Sequence, residues 1–180
     1  MAKDGKWIVK DGTLTQSGKG GGDIYTEKPY EHFEWAIEWK ATGNSGLFIR
    51  VDPKAKGAIY GVAPESQVIP DGPKSVGSTS SGGLYAIYEL QVKEKKIDPK
   101  GWNKVRIRIV DNKATHWFNG QKVLEYTIGS EDWFARVAKS KFKNNKGFGL
   151  NANGHLGMQD HGHIVAFRNI KIRVLKSAKK

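Results

Sequence analysis

Near the C-terminal end, Gln159, Asp160 and His161 stand together between Gly157 and Gly162. Glycine lets a backbone turn place polar groups beside a ligand. On residue types alone the triplet reads as a polar loop between two strands. Further back, Glu65 and Gln67 are two residues apart in Ala63-Pro64-Glu65-Ser66-Gln67-Val68. On an extended segment they face the same way, as in a sugar site on a β-protein or on the wet side of an edge strand. His116 sits in an alternating stretch, where it could face a ligand or the core. Glu34 and Glu38 share the polar face of a strand. Paired carboxylates suggest a glycosidase, but carboxylates spaced along the exposed face of a strand are usually just solvated. Gly18-Lys19-Gly20-Gly21-Gly22 lacks the Ser or Thr after Lys19, and the strand–loop–helix setting, that a phosphate loop requires, so it reads as a turn or strand crossing.

The elements that must position these residues are mostly strands. Phe33, Trp35, Ile37 and Trp39 alternate with Glu34, Ala36 and Glu38, which gives one aromatic face and one polar face. Val105, Ile107 and Ile109 alternate with Lys104, Arg106 and Arg108. Ile170, Ile172 and Val174 alternate with Lys171 and Arg173. Asp11-Gly12, Asp111-Asn112 and Asn119-Gly120 read as hairpin turns. Leu84 to Tyr88 reads as another strand, and Asp71 to Gly83 as a mobile loop rich in Gly, Ser and Pro. Ser130-Glu131-Asp132-Trp133 opens a helix of about three turns, with Ser as cap and acids in its first turn. About ten short strands and one helix predict an all-β sandwich of two antiparallel sheets, a jelly roll formed as one domain over residues 1–180. Phe33, Trp35, Ile37, Val105, Ile107, Ile109, Ile170 and Ile172 are its expected core.

Composition narrows the chemistry. The chain has 180 residues and no cysteine, so disulfides and thiol chemistry are excluded. No apolar run is long enough for a membrane span. The first seven residues lack the apolar core of a signal peptide, which leaves a cytoplasmic location open. The formal net charge is +12, compatible with an anionic partner. No helix carries a basic stripe, and the lysines are expected to be dispersed over solvent faces, which argues against nucleic acid as a partner.

Several motifs in order resemble one family: Gly20 to Thr26, Phe33 to Trp39, Gly43-Asn44-Ser45-Gly46-Leu47-Phe48-Ile49-Arg50, Pro64-Glu65-Ser66-Gln67 and Gly83-Leu84-Tyr85. Trp102-Asn103, His116 to Gly120, Ser140-Lys141-Phe142, and Gln159-Asp160-His161-Gly162 through Ile170 follow. The sequence resembles the 3-keto-disaccharide hydrolase domains, which are similar to concanavalin A-like jelly rolls. The resemblance implies a carbohydrate substrate, a glycoside oxidised at C3, and an exported, periplasmic or extracellular location. A C3 ketone acidifies the hydrogen on C2. Deprotonation there lets the C1 substituent leave, and water then adds. Such a site needs a base, an electrophile at the C3 oxygen and an acid. The resemblance places Glu65, Asp160 and His161 as catalytic candidates, with Asp160 orienting His161 or binding a divalent metal. It gives Asn44, Gln67, Tyr85 and Gln159 to sugar hydroxyls and Arg50 to the enolate oxygen, with His116 among the substrate-facing candidates. No spacing demands the metal. A non-catalytic carbohydrate-binding sandwich with a shallow aromatic groove is the alternative.

Overall fold

The structure is a computed structural model that describes residues 6–18 and 20–178. Lys19, within the glycine-rich stretch, lies outside the described residues. The strands are β1 (Trp7–Lys10), β2 (Thr13–Gln16), β3 (Ile24–Tyr25), β4 (Phe33–Ala41) and β5 (Ser45–Val51), then β6 (Glu65–Val68), β7 (Asn103–Val110), β8 (Lys113–Phe118) and β9 (Gln121–Thr127). Helix α1 (Glu131–Lys139), β10 (His155–Met158) and β11 (Val165–Val174) complete the chain, and a 3-10 turn, Ile59–Gly61, precedes β6. Seven strands form one antiparallel sheet in the order β1-β2-β11-β4-β7-β8-β9. Four form the other, β3-β10-β5-β6.

The alternation in β4 sets the sandwich. Phe33, Trp35, Ile37 and Trp39 point inward and are buried, opposite Ile109, Ile107, Val105 and Asn103 of β7. Leu47 and Ile49 of β5 and Leu156 of β10 meet them from the smaller sheet in one hydrophobic core. Each fully buried large apolar side chain contributes about 1.5–3 kcal/mol, so this shared core is the main force holding the sheets together. The three hairpin turns have left-handed residues at both central positions: Asp11 and Gly12, Asp111 and Asn112, Asn119 and Gly120. That geometry matches the twist of the paired strands. Ser130 caps α1 by accepting from the Trp133 N–H (3.2 Å), and Trp133 and Val137 are buried.

Three expectations need correction. Ile170 is 39% exposed and Val174 70% exposed. A bulge between Arg168 and Lys171, with Asn169 at φ 51°, extrudes Ile170 from the inward row, while Ile172 is only partly buried at the edge of the core. Leu84 to Tyr88 is a turn closed on itself by a Leu84–Tyr88 bridge, with Ala86 at φ 59°. The stretch from Asp71 to Gly83 is tied down rather than loose. Lys95, 1% exposed, donates to the Asp71 carboxylate (2.8 Å) and to the carbonyls of Ser75 (2.7 Å) and Ser81 (3.1 Å). Apart from Lys95, the described lysines stand on solvent faces as expected, and the outward rows of β7 and β11 add Arg106, Arg108, Arg168 and Arg173 to one face of the larger sheet.

Candidate active site

Strand β6 pairs with β5 so that Phe48 opposes Glu65 and Gly46 opposes Gln67. Directly opposed residues share a face. Glu65 and Gln67 therefore stand on the outer face of the smaller sheet, away from the main core. Phe48 underlies them in a second small apolar cluster with Val51 and Ala63, which Ile59 and Val62 partly cover. Gly46 is required by close approach: a β-carbon there would collide with the Glu65 carboxylate, which lies across it.

The free edge of β6 receives the chain again. The Gln67 N–H donates to the Gly83 carbonyl (3.0 Å), and the Tyr85 N–H donates to the Glu65 carbonyl (2.8 Å), which sets Tyr85 beside Glu65. On the other side, Gln159 follows β10. Its N–H donates to the Gly46 carbonyl (3.0 Å), and its own carbonyl accepts from the Ser45 hydroxyl (2.9 Å). The Gln67 amide donates to the Asn44 side-chain oxygen (2.8 Å). The side-chain oxygens Oε1 of Gln67 and Gln159 are buried without a partner among the described residues.

These residues surround a cavity of about 280 Å³ lined by Asn44, Tyr60, Glu65, Gln67, Tyr85, Lys141, Gln159 and His161. Tyr60 comes from the 3-10 turn, which the Asn145 amide holds through the Gly61 carbonyl (2.8 Å). Lys141 follows α1. Its neighbour Phe142 stacks on Phe148 at 4.1 Å between ring centres, and this anchors the turn. The Lys141 ammonium sits 4.1 Å from the Tyr85 ring centre. His161 stacks almost parallel on His163, whose ring lies against Gly43 where a β-carbon would otherwise be.

Glu65 is 5% exposed. Burial pushes its carboxyl up to about 8; Lys141 pulls it back down and the Asp23 carboxylate adds to the rise. Near neutrality it is therefore largely a neutral acid that faces a cavity with an imidazole and an ammonium.

Asp160 does not line this cavity. Its carboxylate accepts the N–H groups of Gly20 (3.1 Å), Gly22 (2.9 Å) and Gly162 (3.0 Å). Against the burial that would raise it, these amides hold it below the ordinary aspartate range. The glycine-rich stretch is thus an anion nest filled by the protein's own carboxylate. The Asp160 N–H in turn donates to Asp23 (2.9 Å). Two other candidates also stand elsewhere. Arg50 is buried at φ 60°, where β5 bulges against β10, and its guanidinium donates to the Gly149 carbonyl (3.1 Å) and the Asn112 side chain (2.6 Å). His116 is 1% exposed, opposite the inward Ile107, with its ring 3.1 Å from the Tyr126 hydroxyl. Burial lowers its pKa to about 3, so it is neutral.

Sequence reasoning missed Tyr60, Lys141 and Asp23. Lys141 lies within the Ser140-Lys141-Phe142 motif and could have been found there; Tyr60 lies in a stretch without periodicity. A divalent ion was one expectation. Among the described residues, no three His, Asp or Glu side chains are grouped to hold a metal ion. With Asp160 turned to backbone amides, Glu65, Asp160 and His161 do not form a ligand set. Nor, among the described residues, is any helix long and apolar enough to cross a membrane.

Three similarities agree with this architecture. A curated 3-keto-disaccharide hydrolase of Bacteroides thetaiotaomicron is 33% identical over 207 aligned residues, covering 94% of this chain and 70% of that protein. The crystal structure of a putative glycosyl hydrolase from Parabacteroides distasonis is 34% identical with a TM-score of 0.83, over 95% of this chain and 84% of that one. The carbohydrate-binding module CBM66 of Bacillus subtilis shares the fold alone, at 14% identity and a TM-score of 0.61, over 94% of this chain and 92% of that one. The family described as the 3-keto-alpha-glucoside-1,2-lyase-like domain matches residues 1–173, and the chain belongs to that family.

Proposed function

We propose that this chain cleaves 3-keto-glycosides by proton abstraction at C2, elimination and hydration. Family membership and the hydrolase relative support a glycoside-hydrolase-like function in general. The observation that carries the finer reading is Glu65, a buried carboxylic acid held neutral in a cavity it shares with His161 and Lys141. Elimination from a 3-keto-glycoside requires an acid, a base and a cationic or hydrogen-bonding electrophile, and these are the three groups present.

In this mechanism the His161 imidazole takes the C2 proton, and electrons move toward the C3 oxygen. The Lys141 ammonium stabilises the enolate that forms there. The enolate collapses with cleavage of the C1–O bond, and neutral Glu65 protonates the departing oxygen. The remaining sugar then has a C1=C2 double bond conjugated to the C3 ketone. Water adds at C1 while the Glu65 carboxylate accepts its proton, and His161 returns a proton to C2. Both groups end as they began, and the net change is hydrolysis. Asn44, Gln67, Gln159, Tyr60 and Tyr85 would hold the sugar hydroxyls and ring. Asp160 acts as a positioning residue that fixes the loop carrying His161. A binding module would need no neutral carboxylic acid beside an imidazole. A periplasmic or extracellular location, as implied for exported members, goes with this reading.

The test compares a 3-keto-glucoside with a chromogenic aglycone against the unoxidised glucoside. Aglycone release from the ketone alone is the expected result. Equal cleavage of both, or of the unoxidised glucoside only, would contradict the elimination route.

A further inference from the structure

The face of the molecule opposite the cavity has its own chemistry. On the outer side of the larger sheet, β7 presents Lys104, Arg106 and Arg108, and β11 presents Arg168, Lys171 and Arg173. Glu34 lies between Arg106 (3.4 Å) and Arg173 (3.0 Å), and Glu38 pairs with Arg168 (2.8 Å). Lys104 and Arg108 form no close ion pair among the described residues. Two arginines lie against indoles: the Arg106 guanidinium carbon is 3.7 Å from the Trp117 ring centre, and that of Arg168 is 4.1 Å from the Trp102 ring centre. Stacking immobilises a guanidinium in advance, and among the described residues Arg106 is engaged only through Nη1, by the long 3.4 Å contact to Glu34, so the rest of its N–H edge can meet a planar carboxylate. Lys104, Arg106, Trp117 and Gly120 line a hollow of about 240 Å³ on this face. At Gly120 a β-carbon would meet nothing, so the hollow is open on that side.

We propose that this face binds an acidic polysaccharide of the polyuronate type, with one uronate residue seated in the Lys104–Arg106–Trp117 hollow. The fit rests on charge complementarity and on the mixture of groups. Lys104 and the stacked Arg106 would take the carboxylate, and the exposed part of Trp117 offers an apolar surface to the sugar ring. The interspersed carboxylates of Glu34 and Glu38 disfavour a polymer as densely charged as nucleic acid, whose charge per unit length demands an unbroken basic track. A chain with one carboxylate per sugar, separated by neutral ring faces, meets that pattern without repulsion. The site is independent of the cavity on the smaller sheet, so it would hold the protein on an acidic glycan while leaving the cavity free.

Binding of polygalacturonate by the full chain at about 0.15 M salt tests this, with fully methyl-esterified polymer and single-stranded DNA as comparisons. The expected result is binding of polygalacturonate, none of the esterified polymer, and at least about tenfold weaker binding by the Lys104→Gln/Arg106→Gln double variant. Aglycone release by that variant should equal that of the parent chain. Hydrogen exchange of the unsubstituted protein gives a second reading that does not depend on the variant folding: oligogalacturonate should protect amides of β7 and β8. Equal binding of the esterified polymer, tighter binding of DNA, undiminished binding by the double variant, or no protection at β7 and β8 would overturn the proposal.

Discussion

Glu65 and His116 are both buried titratable side chains on strands, and the difference between their surroundings separates a reactive site from a packed interior. His116 faces the core, with its ring 3.1 Å from the Tyr126 hydroxyl, in an aromatic layer where Tyr126 stacks on Tyr88 and Trp133. Burial lowers its pKa to about 3, and its ring is 1% exposed and lines no cavity wall with Glu65. Glu65 is raised to about 8 by the same cause, but it opens onto a cavity with His161 and Lys141 at the wall. Perturbation by burial is common to both. What distinguishes Glu65 is access together with complementary groups.

Substitutions should separate the two positions. Glu65→Gln or His161→Ala should lower aglycone release by about 10²–10⁴-fold, the usual cost of losing a general acid or base, and His161→Ala should do so with an unchanged melting temperature. Gly46→Ala should cost about 10²-fold in rate by forcing the Glu65 carboxylate sideways, since small misplacements at a reacting centre are expensive. His116→Ala should behave in the opposite way. It should lower stability by about 2–4 kcal/mol in denaturant unfolding, through a cavity and a lost bond to Tyr126, while the folded fraction keeps its rate. A His116→Ala protein as inactive as the Glu65 variant but fully stable would reverse the comparison.

The pH dependence of stability sharpens the same contrast. Glu65 has a folded-state pKa raised from 4.5 to about 8, so across that interval the unfolded chain has already lost a proton that the folded chain retains. Its contribution to stability is therefore full below about pH 4.5 and declines as pH rises through about 8. The Glu65→Gln variant should show a flatter stability profile over that range. Equal slopes in the two proteins would mean that the carboxyl is not held neutral.

Much of the fold was legible because local chemistry and global architecture agree. The Phe33 to Trp39 alternation and the Asp-Gly, Asp-Asn and Asn-Gly turns each permit only one arrangement of neighbouring strands. The failures came where the two-residue period breaks. Asn169 and Arg50 adopt left-handed backbone at bulges, so Ile170 leaves the core row and Arg50 turns away from the cleft. Ala86 does the same in the turn taken for a strand. His116 was readable, because Ala114, His116 and Phe118 share a parity and Phe118 opposes the inward Val105. Lys95 was not readable, since nothing within a lysine-rich run marks the one that folds under Asp71. For the site, the pairing of Glu65 with Gln67 followed from strand periodicity. The approach of His161 to them, and the diversion of Asp160 to the glycine-rich stretch, depend on contacts between distant parts of the chain.

The most direct measurement is the fate of the C2 hydrogen. The reaction is run on a 3-keto-glucoside in deuterium oxide, and the released sugar is analysed at low conversion against a protein-free control. His161 is exposed, so a proton it has taken exchanges with solvent before it is returned. The account predicts deuterium at C2 in step with aglycone release, with both lost together in His161→Ala. Aglycone release with the C2 hydrogen fully retained, as in direct displacement at C1, would contradict it.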